Sequence, residues 1–277
     1  MIKNSIKPLD SQVSQEPSRI PRHPCVLNIV SLIGMGKSTL LIRLITEDVF
    51  FRGKFHRIVI FSPTCYLYPK WTSVLSIKGV LKKCPHEMAE ETIDLVAPQR
   101  KKRRFSGRIP AEDVYTEYDE EVLKNLVESQ KDYQEIYGKA GMPSVLVIFE
   151  DAAGLNLFSG KRGTAYIKLI TTLRHCNISI WHAIQSYKLI PRTVRINCSN
   201  LIFFRICNKQ ELRKLHEEFP MVGDFNAWFN LFEKLTKEDY SFVHLNAKSA
   251  PFPALPKLRS IRRSLNPFFR NTRKSPL

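Results

Sequence analysis

The chain has 277 residues, of which 43% are hydrophobic and 10% aromatic, and this composition excludes a wholly disordered chain. Its 43 Lys and Arg residues outnumber its 26 Asp and Glu residues, and the net charge of +17 favours a polyanionic partner, nucleic acid before an acidic membrane surface. No apolar stretch approaches the ~18 residues of a membrane-spanning helix, and the polar first 24 residues lack the apolar run of a secretion signal. The six cysteines form no CxxC pair, so we expect reduced thiols in an intracellular, non-secreted protein rather than a zinc site.

Apolar runs and helical periodicity alternate along the chain and predict one α/β domain. In chain order, the patterns predict a strand at 25–31, a helix at 38–45, a strand at 56–61, a helix at 117–136, a strand at 144–149, a helix at 162–175 and a strand at 177–182. There follow a short helix or loop at 188–197, a strand at 200–205, helices at 208–219 and 224–236, and a last strand at 240–245. This alternation predicts a three-layer domain over 25–250 with a mainly parallel central sheet.

Two extensions flank the predicted domain. Residues 1–24 are predicted to form a flexible N-terminal arm, and residues 251–277 a basic tail that carries seven Lys or Arg and no acid from Lys257 onward. A second basic segment, Arg100–Arg104 with Arg108, lies inside the domain. Three interpretations of it stay open: a patch that faces DNA phosphates, a solvated loop, or a nuclear import signal.

The sharpest local signal is the segment Ser31–Thr39, which follows an apolar strand and opens a helix; we call it the phosphate loop. Its glycines allow a tight turn in which successive backbone N–H groups point at one anion. Lys37 would bridge the β- and γ-phosphates of a nucleotide, and the Ser38 hydroxyl would bind Mg²⁺. The predicted nucleotide-binding residues are Gly34, Met35, Gly36, Lys37, Ser38 and Thr39.

Polar side chains follow two of the predicted strands. Glu150 and Asp151, the acidic pair, close the apolar run at 144–149, where phosphate-loop enzymes hold Mg²⁺ and activate water. Gln185 follows the next strand and could sense the γ-phosphate or position water. A permanent, planar cation suits the charge of a phosphoryl transition state, so three arginines are candidates for a finger that reaches a neighbouring subunit: Arg174, Arg192 and Arg195.

A series of short motifs carries a resemblance to a known family. After the phosphate loop come Phe61-Ser-Pro-Thr64, Val147-Ile-Phe-Glu-Asp151, Leu173-Arg-His-Cys-Asn-Ile-Ser179, Ala183-Ile-Gln-Ser-Tyr187, Ile190-Pro191, Val194-Arg195 and Asn197. In this order they resemble the viral genome-packaging ATPases of the FtsK–HerA P-loop superfamily. The similarity is to the poxvirus type, which also occurs in other large DNA viruses, virophages and polinton-like viruses. It covers roughly 25–245.

The resemblance implies a RecA-like P-loop NTPase core that hydrolyses ATP with Mg²⁺ and works as a homo-oligomeric ring. Such a ring would drive double-stranded DNA, without sequence preference, into a capsid through capsid or portal-like vertex proteins. Lys37 and Ser38 would then bind ATP and Mg²⁺, Glu150 would share in holding the metal, and Glu150 and Asp151 would be catalytic together with Gln185. Arg174 would be the finger. The implied location is the host nucleus or a cytoplasmic virus factory, with the virion as a further location.

Two positions depart from the family pattern. Ser31 replaces the first glycine of the phosphate loop, and Glu150 stands where the family usually has Asp. The division of roles between Glu150 and Asp151 therefore stays open. Two alternative functions also stay open: another P-loop phosphotransferase such as a nucleotide kinase, and a basic DNA-binding virion protein with a degenerate nucleotide site.

Overall fold

The computed structural model describes residues 21–83, 107–151, 155, 157–158, 164–219, 223–247 and 259–260. Most of the predicted N-terminal arm, the segment Arg100–Arg104 and nearly all of the basic tail lie outside the described residues. The strands of the described part are β1 (Val26–Val30), β2 (Arg57–Phe61), β3 (Val114–Tyr115), β4 (Val145–Glu150), β5 (Ile178–Ile184), β6 (Asn200–Phe204), β7 (Phe242–Asn246) and β8 (Arg259–Ser260). Its α-helices are α1 (Lys37–Thr46), α2 (Pro69–Ser76), α3 (Glu120–Gly141), α4 (Thr164–Thr172), α5 (Arg192–Ile196), α6 (Lys209–Glu218) and α7 (Phe225–Leu235).

One sheet joins these strands in the order β3-β2-β4-β5-β1-β6-β7-β8. The pairs from β3 to β6 are parallel, whereas β7 runs antiparallel to β6 and β8 antiparallel to β7. The prediction of a mainly parallel sheet is confirmed. Because the inner strands are parallel, the carboxyl ends of β4, β5, β1 and β6 lie along one edge of the sheet, which is where such sheets bind ligands.

Helices cover both faces of the sheet, which confirms the predicted three layers. On β1, Leu27 and Ile29 belong to a core cluster that includes α1 and α2, whereas Val26 and Val30 belong to a second cluster that includes α3, α4, α6 and α7. Every residue of β1 and β4 is buried. Strands that are buried on both faces have continuous apolar sequences, and this explains why β1, β4 and β6 lie within one or two residues of their predicted positions.

A polar network crosses the centre of the apolar core. His182 of β5 shares hydrogen bonds of 2.8 Å with the Asn28 side chain of β1 and of 2.8 Å with the Tyr166 hydroxyl of α4. Burial lowers the pKa of His182 to about 3, so its imidazole is neutral at physiological pH. The network therefore joins β1, β5 and α4 without a buried charge.

Some elements differ from the sequence-based expectation. Helix α2 and strand β3 lie in the stretch 66–115, for which no element was predicted, and β5 extends two residues beyond the predicted end. A two-residue strand such as β3 has no periodicity to detect, since its pairing with β2 depends on distant residues. Arg259–Ser260, in the predicted tail, pairs with β7. No described helix has the length and hydropathy needed to cross a membrane.

Candidate active site

The phosphate loop begins where β1 ends and passes directly into α1. The Ser31 N–H donates to the Ile184 carbonyl over 3.0 Å, which continues the β1–β5 pairing by one residue. Gly34 and Gly36 have φ of 81° and 98°, values that L side chains rarely adopt, so both glycines are required by the backbone. Ser31, by contrast, has no positive φ, so serine is accommodated where the family pattern has glycine.

The Lys37 side chain folds back onto the start of the phosphate loop. Its Nζ donates to the Ser31 carbonyl over 2.8 Å and to the Leu32 carbonyl over 3.3 Å. Burial lowers the pKa of Lys37, and the negative charges of Asp151 and Glu150 oppose this effect. The ammonium is therefore held over the loop and in the field of the acidic pair.

The acidic pair lies at the carboxyl end of β4 and is supported from β2. Glu150 is only 1% exposed, and its Oε2 accepts a hydrogen bond of 2.9 Å from Ser62 Oγ. Asp151 is half-buried with a left-handed φ of 49°, and its Oδ2 accepts a hydrogen bond of 3.3 Å from Thr64 Oγ1. Because β2 and β4 pair in parallel, these polar residues after β2 lie beside the carboxylates.

The electrostatic environment of Glu150 connects β4 with α1. Burial raises the pKa of Glu150, and the charge of Asp151 adds to the rise. Hydrogen bonding to Ser38 is the largest opposing effect, followed by that to Ser62. Ser38, predicted to bind Mg²⁺, therefore lies next to the predicted carboxylate ligand, although the two are 112 residues apart in the sequence.

Gln185 lies between the acidic pair and the phosphate loop. It follows β5, which pairs with β4 on one side and with β1 on the other, so its backbone lies between the acidic pair and the phosphate loop. Its side chain is half-buried. The sheet thus brings Lys37, Ser38, the acidic pair and Gln185 to one edge.

The three arginine candidates lie in different environments. Arg174 is exposed and precedes β5, so it lies at the opposite edge of the sheet and cannot reach the phosphate loop of its own chain. Arg192 is exposed at the start of α5. Arg195 is buried, with its Nη2 2.9 Å from the Glu218 carboxylate. This ion pair holds the Arg195 guanidinium against Glu218 of its own chain.

Viral genome-packaging NTPases are among the solved structures that are similar to this chain. B204, the DNA-packaging ATPase of Sulfolobus turreted icosahedral virus, matches with a TM-score of 0.53 and 12% identity over 86% of this chain and 98% of that one. The genome packaging NTPase B204 of Sulfolobus turreted icosahedral virus 2 matches with a TM-score of 0.50 and 14% identity in complex with AMPPCP, over 85% and 96% of the two chains. Its complex with sulfate gives 0.52 and 15%, over 87% and 96%. No protein-family model and no curated protein matches the sequence.

The chain has a RecA-like P-loop NTPase fold. At these identities the similarity establishes the fold, which agrees with the superfamily that the motif series resembles. The poxvirus type remains a prediction from the motifs.

The donor atoms of this P-loop site fit Mg²⁺. Glu150 Oε1 is buried and accepts no hydrogen bond of ordinary geometry from the described residues, and Ser38 is adjacent. The described ranges hold no cluster of three or more His, Cys, Asp or Glu that could bind a metal alone. Mg²⁺ in P-loop sites is bound by one or two protein oxygens together with substrate phosphates, so Ser38 and Glu150 suffice.

Several residues around the P-loop site were not predicted as functional. Ser62 and Thr64 orient the acidic pair, and the buried Trp71 of α2 lies near Glu150 and lowers its pKa. Lys70 Nζ donates to Thr39 Oγ1 over 3.0 Å and places a second lysine at the first turn of α1. The motif Phe61-Ser-Pro-Thr64 was the available signal, since polar residues at the end of a buried strand lie at the ligand-binding edge.

Proposed function

We propose that this chain is an ATP-hydrolysing motor that moves double-stranded DNA without sequence preference, and that its cargo is a viral genome entering a capsid. The main support for ATP hydrolysis is that Lys37 and Ser38 lie close to Glu150 and Asp151 at one edge of the sheet. The net charge of +17, the motif series and the fold shared with a DNA-packaging ATPase support the DNA cargo.

The contacts of each residue support a role for it in hydrolysis. Lys37 and the N–H groups at the start of α1 bind the phosphates. Ser38 and Glu150 would hold Mg²⁺, and the ion would supply positive charge to neutralise that on the transferred phosphoryl group. Asp151 is less buried than Glu150 and lies one residue further along the edge, so we assign the activation of water to Asp151. Gln185 orients that water or the γ-phosphate.

We infer that a cation from a neighbouring copy completes the site. Arg174 lies at the opposite sheet edge, and Arg195 is paired with Glu218. Among the three candidates, Arg174 and Arg192 can therefore complete the site of a neighbouring copy in a ring. Such a ring would hydrolyse ATP more slowly when its subunits are separated.

The test is phosphate release from ATP with and without long double-stranded DNA, at low and moderate salt. The wild-type chain is compared with Lys37→Ala and Asp151→Asn, and with Lys139→Ala on α3 as an exposed control remote from the site. We expect DNA-stimulated hydrolysis that falls at least ~10²-fold in Lys37→Ala and Asp151→Asn, and that stays unchanged in the control.

Two outcomes would contradict the proposal. Hydrolysis that survives in Lys37→Ala would remove the site assignment. Transfer of phosphate to a nucleoside or nucleotide acceptor, without stimulation by DNA, would identify a nucleotide kinase instead.

A further inference from the structure

A pocket adjoins the phosphate loop on the side opposite the acidic pair. We call it the β6–β7 pocket; its lining includes Gly36, Thr39, Arg43, Phe204, Tyr240 and Phe242. Strand β6 pairs with β1, and β7 returns antiparallel to β6 with Phe204 opposite Phe242. The start of β7 therefore lies at the same sheet edge as the phosphate loop, and Tyr240 precedes it by two residues.

The order of strands fixes the direction in which a bound nucleotide extends. The acidic pair on β4 and Gln185 after β5 lie on one side of β1, and the β6–β7 pocket lies on the other. A nucleoside triphosphate carries its terminal phosphate and its base at opposite ends. With the γ-phosphate at the acidic pair and the β-phosphate in the loop, the base must extend past Gly36 toward β6 and β7.

Tyr240 forms the outer wall of the pocket. Tyr240 is 37% exposed, whereas Phe204 and Phe242, whose ring centroids are 5.3 Å apart, are buried. A Cβ at Gly36 would lie 3.4 Å from Tyr240 Cδ1 and 3.9 Å from Phe204 Cε1, so the loop glycine and both rings are in close proximity.

The backbone at Tyr240 is strained. Its φ of 62° is unusual for a bulky residue, and such conformations persist only where the surroundings enforce them. Ser241 enforces it here, because its N–H and its hydroxyl both donate to the Glu238 carbonyl, over 3.2 Å and 2.6 Å. This turn holds the aromatic ring beside the phosphate loop.

We propose that Tyr240 stacks on the purine base of the bound nucleoside triphosphate, and that this stacking favours a purine by its ring area rather than by reading its edges. This inference rests on the proposed function, which places a triphosphate in the loop. The polar side chains of the pocket already have partners in their own chain, since Arg43 is paired with Glu47 and Thr39 accepts from Lys70. Stacking on an aromatic ring tolerates any base and grows with the stacked area.

The test is calorimetric titration of the full chain with ATP, GTP, CTP and inorganic tripolyphosphate, each with Mg²⁺. Tyr240→Asn removes the ring and keeps a residue that tolerates a positive φ. We expect it to raise the Kd of ATP about 10- to 100-fold and to leave tripolyphosphate binding unchanged. ATP and GTP should bind the wild-type chain within about tenfold of each other, and CTP more weakly.

Three controls make the result specific. Tyr240→Phe keeps the ring and should bind ATP as the wild type does, and Tyr137→Asn removes an exposed tyrosine from α3 without effect. An unchanged melting temperature without nucleotide shows that Tyr240→Asn is folded. Unchanged ATP binding in Tyr240→Asn, with binding lost in Lys37→Ala, would overturn the stacking proposal alone. Unchanged ATP binding in Lys37→Ala would overturn the proposed function instead.

Discussion

Glu150 illustrates how a single residue can serve function at the expense of stability. Its carboxyl group is buried, one of its oxygens accepts no hydrogen bond of ordinary geometry from the described residues, and its pKa is raised by burial. Burial disfavours the ionised form of this carboxyl group, and the ionised form is the one that binds a metal ion. The folded protein tolerates it because Ser38 and Ser62 stabilise the charge in part.

We therefore predict that Glu150→Gln loses hydrolysis but gains stability at neutral pH. A raised pKa means that the native state binds more protons than the unfolded state, so wild-type stability falls as pH rises from about 4.5 through the folded pKa. Glutamine cannot ionise, so the stability of Glu150→Gln does not fall with pH for this reason. Melting temperatures at pH 4 and pH 7.5 should show the advantage of Glu150→Gln growing with pH, whereas the exposed control Glu128→Gln should show no such growth.

At the scale of elements, the site depends on the pairing of β2 with β4. The register aligns Phe61 with Phe149, so the polar residues that follow each strand meet. Ser62 donates a hydrogen bond to Glu150, and Thr64 donates one to Asp151. The end of β2 thus orients the acidic pair and lowers the pKa of Glu150 through Ser62, although it contributes no predicted catalytic group.

Ser62→Ala tests this support. The Ser62 hydroxyl lowers the pKa of Glu150, so its removal should raise that pKa further. Because Mg²⁺ binds the ionised carboxylate, we expect the acidic limb of the hydrolysis profile to move to higher pH. Phosphate release between pH 5 and pH 8 measures this shift, and Ser73→Ala on the exposed face of α2 is the matched control. An equal loss of rate at every pH would indicate a packing role for Ser62.

At the scale of the whole molecule, charge is distributed unevenly along the chain. The last 21 residues carry seven of its basic groups and no acid. Lys and Arg that neutralise DNA phosphates release counterions, so their contribution is visible as salt dependence. Arg259–Ser260 pairs with β7, and a truncation should therefore preserve this short strand.

We predict that removal of residues 262–277, with five of these basic groups, weakens DNA binding and leaves DNA-independent hydrolysis unchanged. If all five contact phosphates, the slope of log affinity against log salt should become shallower by about 4.5. DNA titrations at several salt concentrations measure the slope. A large loss of hydrolysis without DNA would instead show that this segment belongs to the catalytic domain.

The sequence predicted the parts of the fold that have local signals. The phosphate loop and the acidic pair were recognisable because each directly follows a buried apolar strand. The residue types at these positions are typical of phosphate binding and of metal binding. The strand order, Ser62 beside Glu150, and Tyr240 beside Gly36 depend on contacts between residues far apart in the chain. Arg195 shows the same limit, because nothing local indicates that Glu218 is its partner.

The hydrogen bond from Ser31 to Ile184 has a mechanical consequence. It ties the first residue of the phosphate loop to the residue before Gln185. Two residues further on, Ser186 Oγ and the Tyr187 N–H donate to the Glu211 carboxylate of α6. These hydrogen bonds connect α6 with the phosphate loop over a few residues, and the proposed motor would transmit force in either direction along them.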